Sequence, residues 1–258
     1  MFKPRYIIFT IILASIIIIV LALSVGEEHL FVPPEPASSI SSNIPQEISR
    51  ENRPPIIMYH LIDQPQPANT YLYVTPDKFD TDMAYLKNNG YNTIFSEDIG
   101  QEQAKNVMIT FDDGYEDNYT NAFPILEKYG AKATIFLITD DIGTSGMLSA
   151  DEIKQMSDSG LVEFGSHTKT HSDLTKLSES DIQNEFAISK QAIQDITGKT
   201  VTAVSYPQGY ANNKVFDIAE NYFSVGFMVG GGNASKTRTI ALQRMTATED
   251  VPIQNLLH

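Results

Sequence analysis

Two adjacent carboxylates follow an apolar run in the segment VMITFDDGY, residues 107–115. Neighbouring residues at the end of a strand point in opposite directions, so Asp112 and Asp113 are expected to have different roles. One can bind a metal ion while the other takes a proton from water. The pair Asp-Gly is also common in ordinary turns, so this segment alone leaves a turn and a catalytic site equally open.

Two histidines four residues apart form a second pattern in SHTKTH, residues 166–171. This spacing places His167 and His171 on the same side of a helical turn, from which both imidazoles can reach one cation. Two histidines, one carboxylate and an open position for water are a usual catalytic zinc pattern. Two surface histidines are the commoner explanation of such a pair on its own. A calcium loop in DDGYEDN is disfavoured, because the alternating ligands and the twelfth-place glutamate are missing.

The elements that must position these residues alternate along the chain. Short apolar runs predict strands at IIMY, YNTIF, NVMITF, ATIFLI, LVEFG, TAVSY, SVGFMV and near residues 240–245. Helical patterns separate them, and one of these helices begins with a capping box of Ser149 and Glu152. Alternation at this spacing predicts βαβ units and a parallel sheet, and the number of units favours an α/β barrel.

Polar residues follow several of the predicted strands. His60, Asp112, Asp113, His167 and Pro207 all stand at such positions. Active sites of β/α barrels lie at the carboxyl ends of the strands, so these residues are expected on one rim. The sequence therefore favours a functional site over a set of unrelated turn residues.

Composition limits the partners and the chemistry. A chain of 258 residues fits one catalytic domain with a tail. Its formal net charge of -14 argues against nucleic acid or an anionic membrane surface as the main partner. A neutral or cationic polymer suits this charge better. The chain has no cysteine, so any metal must be bound by histidine and carboxylate.

The N-terminal segment is predicted to be a membrane anchor. Lys3 and Arg5 precede an uncharged run over residues 6–26, which is long enough to cross the hydrocarbon core of a bilayer. The basic residues before this run place the rest of the chain outside the cytoplasm. Cleavage as a signal peptide, giving a secreted protein, is the alternative. Residues 27–54 form a Pro/Ser-rich extracytoplasmic linker, and residues 55–258 form the catalytic domain.

The pair TFDDG and SHTKTH resembles the first two motifs of the polysaccharide deacetylases, the NodB-homology group or carbohydrate esterase family four. The resemblance implies a distorted (β/α) barrel that uses a divalent metal, usually Zn²⁺, to remove N-acetyl groups from amino sugars. It makes Asp112 the general base and Asp113 the metal carboxylate. It also makes His167 and His171 the metal imidazoles.

The third motif departs from the family pattern of Arg-Pro-Pro-Tyr. This chain has SYPQGY at residues 205–210, which is more similar to exported deacetylases of the poly-N-acetylglucosamine type. The backbone N–H of Tyr206, beside Pro207, is expected to bind the oxyanion. Arg244 is a candidate for the missing guanidinium, although a surface arginine is at least as probable from the sequence.

The sequence offers two candidates for the general acid. The late Leu-x-His motif that often supplies it is absent, unless His258 at the chain end serves. His60 in IIMYHLI resembles the Tyr-His motif of the exported subgroup and is the better candidate. A strand-end histidine with a purely structural role is the alternative.

These features together predict a membrane-tethered, metal-dependent N-deacetylase of an extracellular or cell-wall polysaccharide. A glycosidase is less favoured, because adjacent carboxylates cannot flank a glycosidic bond at the required separation of about 5–10 Å. A degenerate barrel that only binds glycan is the non-enzymatic alternative.

Overall fold

The computed structural model describes residues 48, 53–64, 72–101, 105–229 and 238–257. Ten strands are present in these ranges: β1 Ile56–Tyr59, β2 Leu61–Ile62, β3 Tyr73–Val74, β4 Asn92–Thr93, β5 Asn106–Phe111, β6 Ala133–Leu137, β7 Val162–Ser166, β8 Ala203–Ser205, β9 Val225–Val229 and β10 Leu242–Thr246. Five α-helices accompany them within the same ranges: α1 Pro76–Asn88, α2 Phe123–Tyr129, α3 Ala150–Asp158, α4 Glu179–Thr197 and α5 Asn213–Ala219.

Seven parallel strands close into a barrel. Their order is β1-β10-β9-β8-β7-β6-β5, and β5 pairs again with β1. The last strand closes the ring through the register of Ile57 with Met245. The barrel is distorted because β4 pairs with the start of β5, at Asn106 and Val107, and β6 pairs with its end. The predicted distorted (β/α) barrel is thus confirmed.

Local sequence signals account for the helices between the strands. The predicted capping box at α3 is confirmed, because the Ser149 side chain and the Glu152 side chain each bind the other's backbone N–H. Helix α4 ends at Gly198, which has the left-handed conformation that glycine adopts without strain. These short signals fix where each helix begins and ends, and the apolar faces pack against the outside of the barrel.

The barrel interior is filled mainly by apolar side chains. The rings of Phe136 on β6 and Phe227 on β9 lie 5.3 Å apart between centroids. These strands are not neighbours, so the contact crosses the interior. A Cβ atom on Gly165 of β7 would lie 2.5 Å from the Phe136 ring, which explains why a residue without a side chain is needed there. This apolar layer separates the two ends of the barrel.

No helix within the described ranges is long and apolar enough to cross a membrane. The predicted anchor over residues 1–26 and most of the predicted linker lie outside those ranges.

Candidate active site

Asp112 follows β5 and is held by a guanidinium from β10. Arg244 donates from Nη1 to Oδ1 at 2.7 Å and from Nη2 to Oδ2 at 2.5 Å. Asp112 is 3 % exposed and Arg244 is 4 % exposed. Such a two-point contact fixes the plane of the carboxylate as well as its distance. The structure therefore places Arg244 against Asp112 in the interior and not on the surface.

Neighbouring polar groups complete the environment of this pair. Arg244 Nη2 donates to Ser205 Oγ at 2.8 Å, and Arg244 Nη1 donates to Thr110 Oγ1 at 3.2 Å. Burial alone would raise the pKa of Asp112, but Arg244 and then His167 hold it well below its usual range. Asp112 is consequently a carboxylate at neutral pH.

Asp113 leaves the strand in a left-handed conformation, with φ of 74°. Gly114 follows with φ of 84°, and a Cβ atom there would lie 2.6 Å from a methyl group of Leu137. Few residues adopt this conformation, and it costs on the order of 1 kcal/mol or more for a residue with a side chain. The turn directs Asp113 away from Arg244 and towards the two histidines. The expected division between the two aspartates is therefore seen in their positions.

His167 follows β7 and has its ring orientation fixed by a backbone carbonyl. Its Nδ1 lies 2.8 Å from Ser205 O. A carbonyl can only accept, which assigns the proton to Nδ1 and leaves Nε2 with a free lone pair. Nε2 lies 3.4 Å from Asp113 Oδ1 and 3.9 Å from Asp112 Oδ2. Ser205 thus contacts both halves of the site.

His171 reaches the same point, but not by way of a helical turn. Thr168 and His171 both have left-handed backbones, with φ of 69° and 59°. The predicted helical turn is therefore wrong, because residues 167–173 form an irregular loop after β7. The loop still brings His171 Nε2 within 3.8 Å of Asp113 Oδ1.

Asp113, His167 and His171 form a donor set that fits a divalent cation. One ligand atom from each lies within 4.8 Å of the others. Ligands about 2.0–2.2 Å from one tetrahedral ion lie about 3.3–3.6 Å apart, close to the observed contacts with Asp113. Burial would lower the pKa of His167, but Asp112 and Asp113 raise it above its usual value. The two carboxylates thus favour positive charge at this point.

His60 lies on the same rim, immediately after β1. Its backbone carbonyl accepts a hydrogen bond from Asn118 Nδ2 at 2.9 Å. Burial lowers the pKa of His60, although Asp112 and Asp113 act in the opposite direction. His258, the other candidate acid, lies outside the described residues.

The loop after β8 corrects the expected oxyanion donor. The N–H of Tyr206 donates to Phe227 O at 3.0 Å as part of the sheet, so it is not available to a substrate. The Tyr206 hydroxyl donates to Ile240 O at 2.9 Å in the core. Pro207 lies buried after the strand, and Gln208 follows it with a left-handed φ of 57°.

Thr110 and Ser205 are site residues that the sequence interpretation missed. Both are small hydroxyl residues at or near strand ends, where their side chains point into the barrel beside Arg244. The only available signal was their position in predicted strands next to acidic or motif residues.

Comparison with known proteins agrees with this geometry. Residues 99–223 match the family described as polysaccharide deacetylase. A Bacillus subtilis (strain 168) protein described as the polysaccharide deacetylase YxkH is 36% identical over 200 residues, covering 74% of this chain and 70% of the relative. A poly-beta-1,6-N-acetyl-D-glucosamine N-deacetylase of Staphylococcus aureus (strain MSSA476) is 26% identical over 237 residues, covering 80% and 79%.

A solved structure of similar architecture is the Streptococcus pyogenes deacetylase PplD in complex with acetate. It superposes with a TM-score of 0.73 and 31% identity, covering 80% of this chain and 96% of that chain. A polysaccharide deacetylase from Bacillus cereus gives a TM-score of 0.74 with 30% identity, covering 82% and 70%.

Proposed function

Because this chain belongs to the polysaccharide deacetylase family, we propose that it hydrolyses N-acetyl groups on the amino sugars of a polysaccharide and releases acetate. The observation that carries the proposal is the pairing of two sets on one rim. Asp112 is held by Arg244, and Asp113 stands beside it with two imidazoles. A poly-N-acetylglucosamine of the kind named for the Staphylococcus aureus relative is the proposed substrate class.

Asp113, His167 and His171 are proposed to hold a divalent metal, with Zn²⁺ the best match to two imidazoles and one carboxylate. When bound, such an ion supplies Lewis acidity, which activates water and polarises the substrate carbonyl. The left-handed turn at Asp113 and the carbonyl of Ser205 behind His167 orient the ligands before any ion arrives.

Asp112 is proposed to be the general base. Arg244 lowers its basicity, but the same contact keeps it ionised and fixes its plane. Oδ2 accepts from Ser205 Oγ at 3.2 Å as well as from Arg244, so Oδ1 is the oxygen that keeps a lone pair to accept a proton from the attacking water. Position therefore contributes more than basicity to the proposed role of Asp112.

His60 is proposed to protonate the leaving amine. Its support is its place on the rim among Asp112, Asp113 and His167. The N–H of Gln208 is proposed to bind the oxyanion in place of the N–H of Tyr206, because the latter is committed to the sheet.

We further propose that residues 6–26 anchor the protein in the membrane with the catalytic domain outside the cytoplasm. The length of the uncharged run and the basic residues before it support this. After cell fractionation the protein is expected with membranes and open to added protease. A soluble mature chain that begins near Val25 would show cleavage instead.

The deciding experiment measures acetate released from oligomers of N-acetylglucosamine with β-1,4 and β-1,6 linkages. The purified chain is assayed before and after chelator treatment and after Zn²⁺ is returned. Loss and recovery of acetate release are expected. Glycan binding without acetate release would support the degenerate barrel, and shortened oligomers would support a glycosidase.

A further inference from the structure

The loop that carries both histidines has a backbone that its own sequence does not favour. Thr168 has φ of 69°, and His171 has φ of 59°. A β-branched residue such as threonine is a rare occupant of the left-handed region, because its side chain crowds the backbone there. One hydrogen bond inside the loop, from the His171 N–H to Thr168 Oγ1 at 3.1 Å, joins these two residues, and contacts from outside the loop add to it.

Glu185 contacts the middle of this loop from helix α4. Its Oε2 accepts hydrogen bonds from the N–H groups of Lys169 at 2.8 Å and Thr170 at 2.9 Å. Its Oε1 accepts from Thr170 Oγ1 at 2.7 Å. Glu185 is 8 % exposed, whereas Lys169 is half-buried and Thr170 is exposed, so these three bonds to a charged acceptor are shielded from water only on the side of helix α4. Both N–H groups belong to residues between the two histidines.

A second carboxylate near the loop provides an internal comparison. Asp140 Oδ2 accepts from Lys169 Nζ at 2.6 Å, but both side chains are substantially exposed. This pair reaches a flexible side chain and not the backbone. Exposed pairs of this kind contribute little to stability or to geometry.

We propose that Glu185 is a positioning residue that holds the backbone between His167 and His171 in the ligating conformation and thereby sets the affinity of the site for a divalent cation. The inference rests on the metal site of the proposed function. Without Glu185, cation binding would have to order the loop, and the free energy of that ordering would be lost from affinity.

The test measures metal affinity of the full chain in the absence of polysaccharide. Co²⁺ binding is followed by visible absorption, and Zn²⁺ binding by competition with a chromophoric chelator. Glu185→Gln keeps the size of the side chain and removes its charge, and the dissociation constants are expected to rise by about 10–100-fold. Asp140→Asn is the matched control on the same loop, and its dissociation constants are expected to stay within about twofold of the unchanged chain.

Thermal unfolding of the metal-free proteins separates positioning from general stability. A lower Tm for Glu185→Gln with unchanged dissociation constants would show a purely structural role and overturn the proposal. If Glu185→Gln does not fold, Thr170→Val removes the bond to Oε1, together with the exposed contact of Thr170 Oγ1 with Ser172 Oγ, and an increase of about 2–10-fold in the dissociation constants is expected. An unchanged affinity in that variant would also overturn it.

Failure of this inference and failure of the proposed function give different results. The positioning role would stand and the deacetylase function would fail if the chain binds Co²⁺ and Zn²⁺, binds them more weakly after Glu185→Gln, and releases no acetate. If the chain releases acetate but its metal affinity does not change after Glu185→Gln, the deacetylase function would stand and the positioning role would fail.

Discussion

Asp112 and Glu163 both point into the barrel, the first at the carboxyl ends of the strands and the second near their amino ends. Asp112 meets the Arg244 guanidinium at two points. Among the described residues, Glu163 accepts from neutral groups, the Ser96 N–H at 2.7 Å and the Thr134 hydroxyl at 2.6 Å. Burial raises the pKa of Glu163, and these hydrogen bonds do not offset it. The pKa of Asp112 moves in the opposite direction.

The difference teaches that the partner, and not burial, decides the charge of an acid inside this barrel. Burial acts on both carboxyl groups in the same direction. At the rim, the Arg244 guanidinium reverses the effect of burial on the pKa of Asp112, so this carboxyl group keeps the negative charge that its proposed role requires. At the opposite end, Glu163 has only neutral hydrogen-bond donors among the described residues and no proposed chemical role. Each prediction below alters one member of this comparison.

The largest effect is expected from Asp112→Asn. An amide cannot accept the proton of water, so acetate release should fall by about 10²–10⁴-fold or more, while metal content measured on the purified protein stays unchanged. Glu163→Gln is the matched control and should retain the rate. Loss of metal from Asp112→Asn, together with retention by Asp113→Asn, would reverse the roles of the two aspartates.

Arg244→Met should leave Asp112, like Glu163 at the opposite end of the barrel, without a guanidinium partner. It leaves the Asp112 charge buried without a cation, so the free energy of unfolding should fall by about 3–5 kcal/mol at neutral pH. In the unchanged chain the depressed pKa of Asp112 stabilises the fold above about pH 3.9, and this is lost as pH falls further. In the variant burial should instead raise the pKa of Asp112, so this dependence should reverse, and the loss of stability should become smaller as the pH falls and Asp112 takes up a proton.

Urea unfolding across a pH series measures the effect of Arg244→Met. Arg238→Met is its control, because Arg238 pairs with Asp217 and Glu220 near the surface, where about 1 kcal/mol or less is expected. Equal losses of unfolding free energy in the two variants would mean that the buried pair of Arg244 and Asp112 contributes no more to stability than an exposed ion pair.

Gly165→Ala should disturb the apolar layer between the two carboxyl groups. The added methyl group would lie 2.5 Å from the Phe136 ring, and a loss of about 1–3 kcal/mol in unfolding free energy is expected. The ring also lies 5.6 Å from the Arg244 guanidinium. Combining the change with Phe136→Leu should recover part of the loss, and no recovery would show that the strain lies in the backbone.

The smallest effect is expected from Glu163→Gln. The raised pKa of Glu163 stabilises the unchanged chain below about pH 4.3 and ceases to do so as pH rises through the higher folded pKa. The variant lacks this dependence, so relative to the unchanged chain it should gain stability as pH rises, within about 1 kcal/mol. Urea unfolding at several pH values checks this. A loss of several kcal/mol at neutral pH would indicate that Glu163 is ionised and paired.

The sequence could predict the residues whose type and spacing are unusual. Asp112, Asp113 and His167 stood out because they follow apolar runs, and His171 because it lies four residues after His167. The alternation of runs and helices predicted the barrel that is observed. Arg244 could be named as a candidate but not placed, because its partner lies 132 residues earlier in the chain. Only closure of the barrel brings the two together.

Other features depend on neighbours that no local pattern encodes. The Tyr206 N–H donates to Phe227 O because β9 lies beside β8. A motif within one strand does not reveal which strand is its neighbour. The loop from His167 to His171 was expected to be helical because its spacing fits a helix, but Glu185 stabilises a left-handed alternative. Glu185 itself belongs to an ordinary helix and has no motif of its own.

The position of Arg244 on the last strand has a consequence for synthesis of the protein. During synthesis Asp112 emerges from the ribosome 132 residues before Arg244, which lies on β10, the strand that closes the ring against β1. Until β10 has emerged, the carboxylate has no cation with which to be buried, so it stays hydrated and the barrel stays open. A chain that stops before β10 thus lacks both closure and the guanidinium. We therefore expect an incomplete translation product that lacks β10 to be inactive and only partly folded.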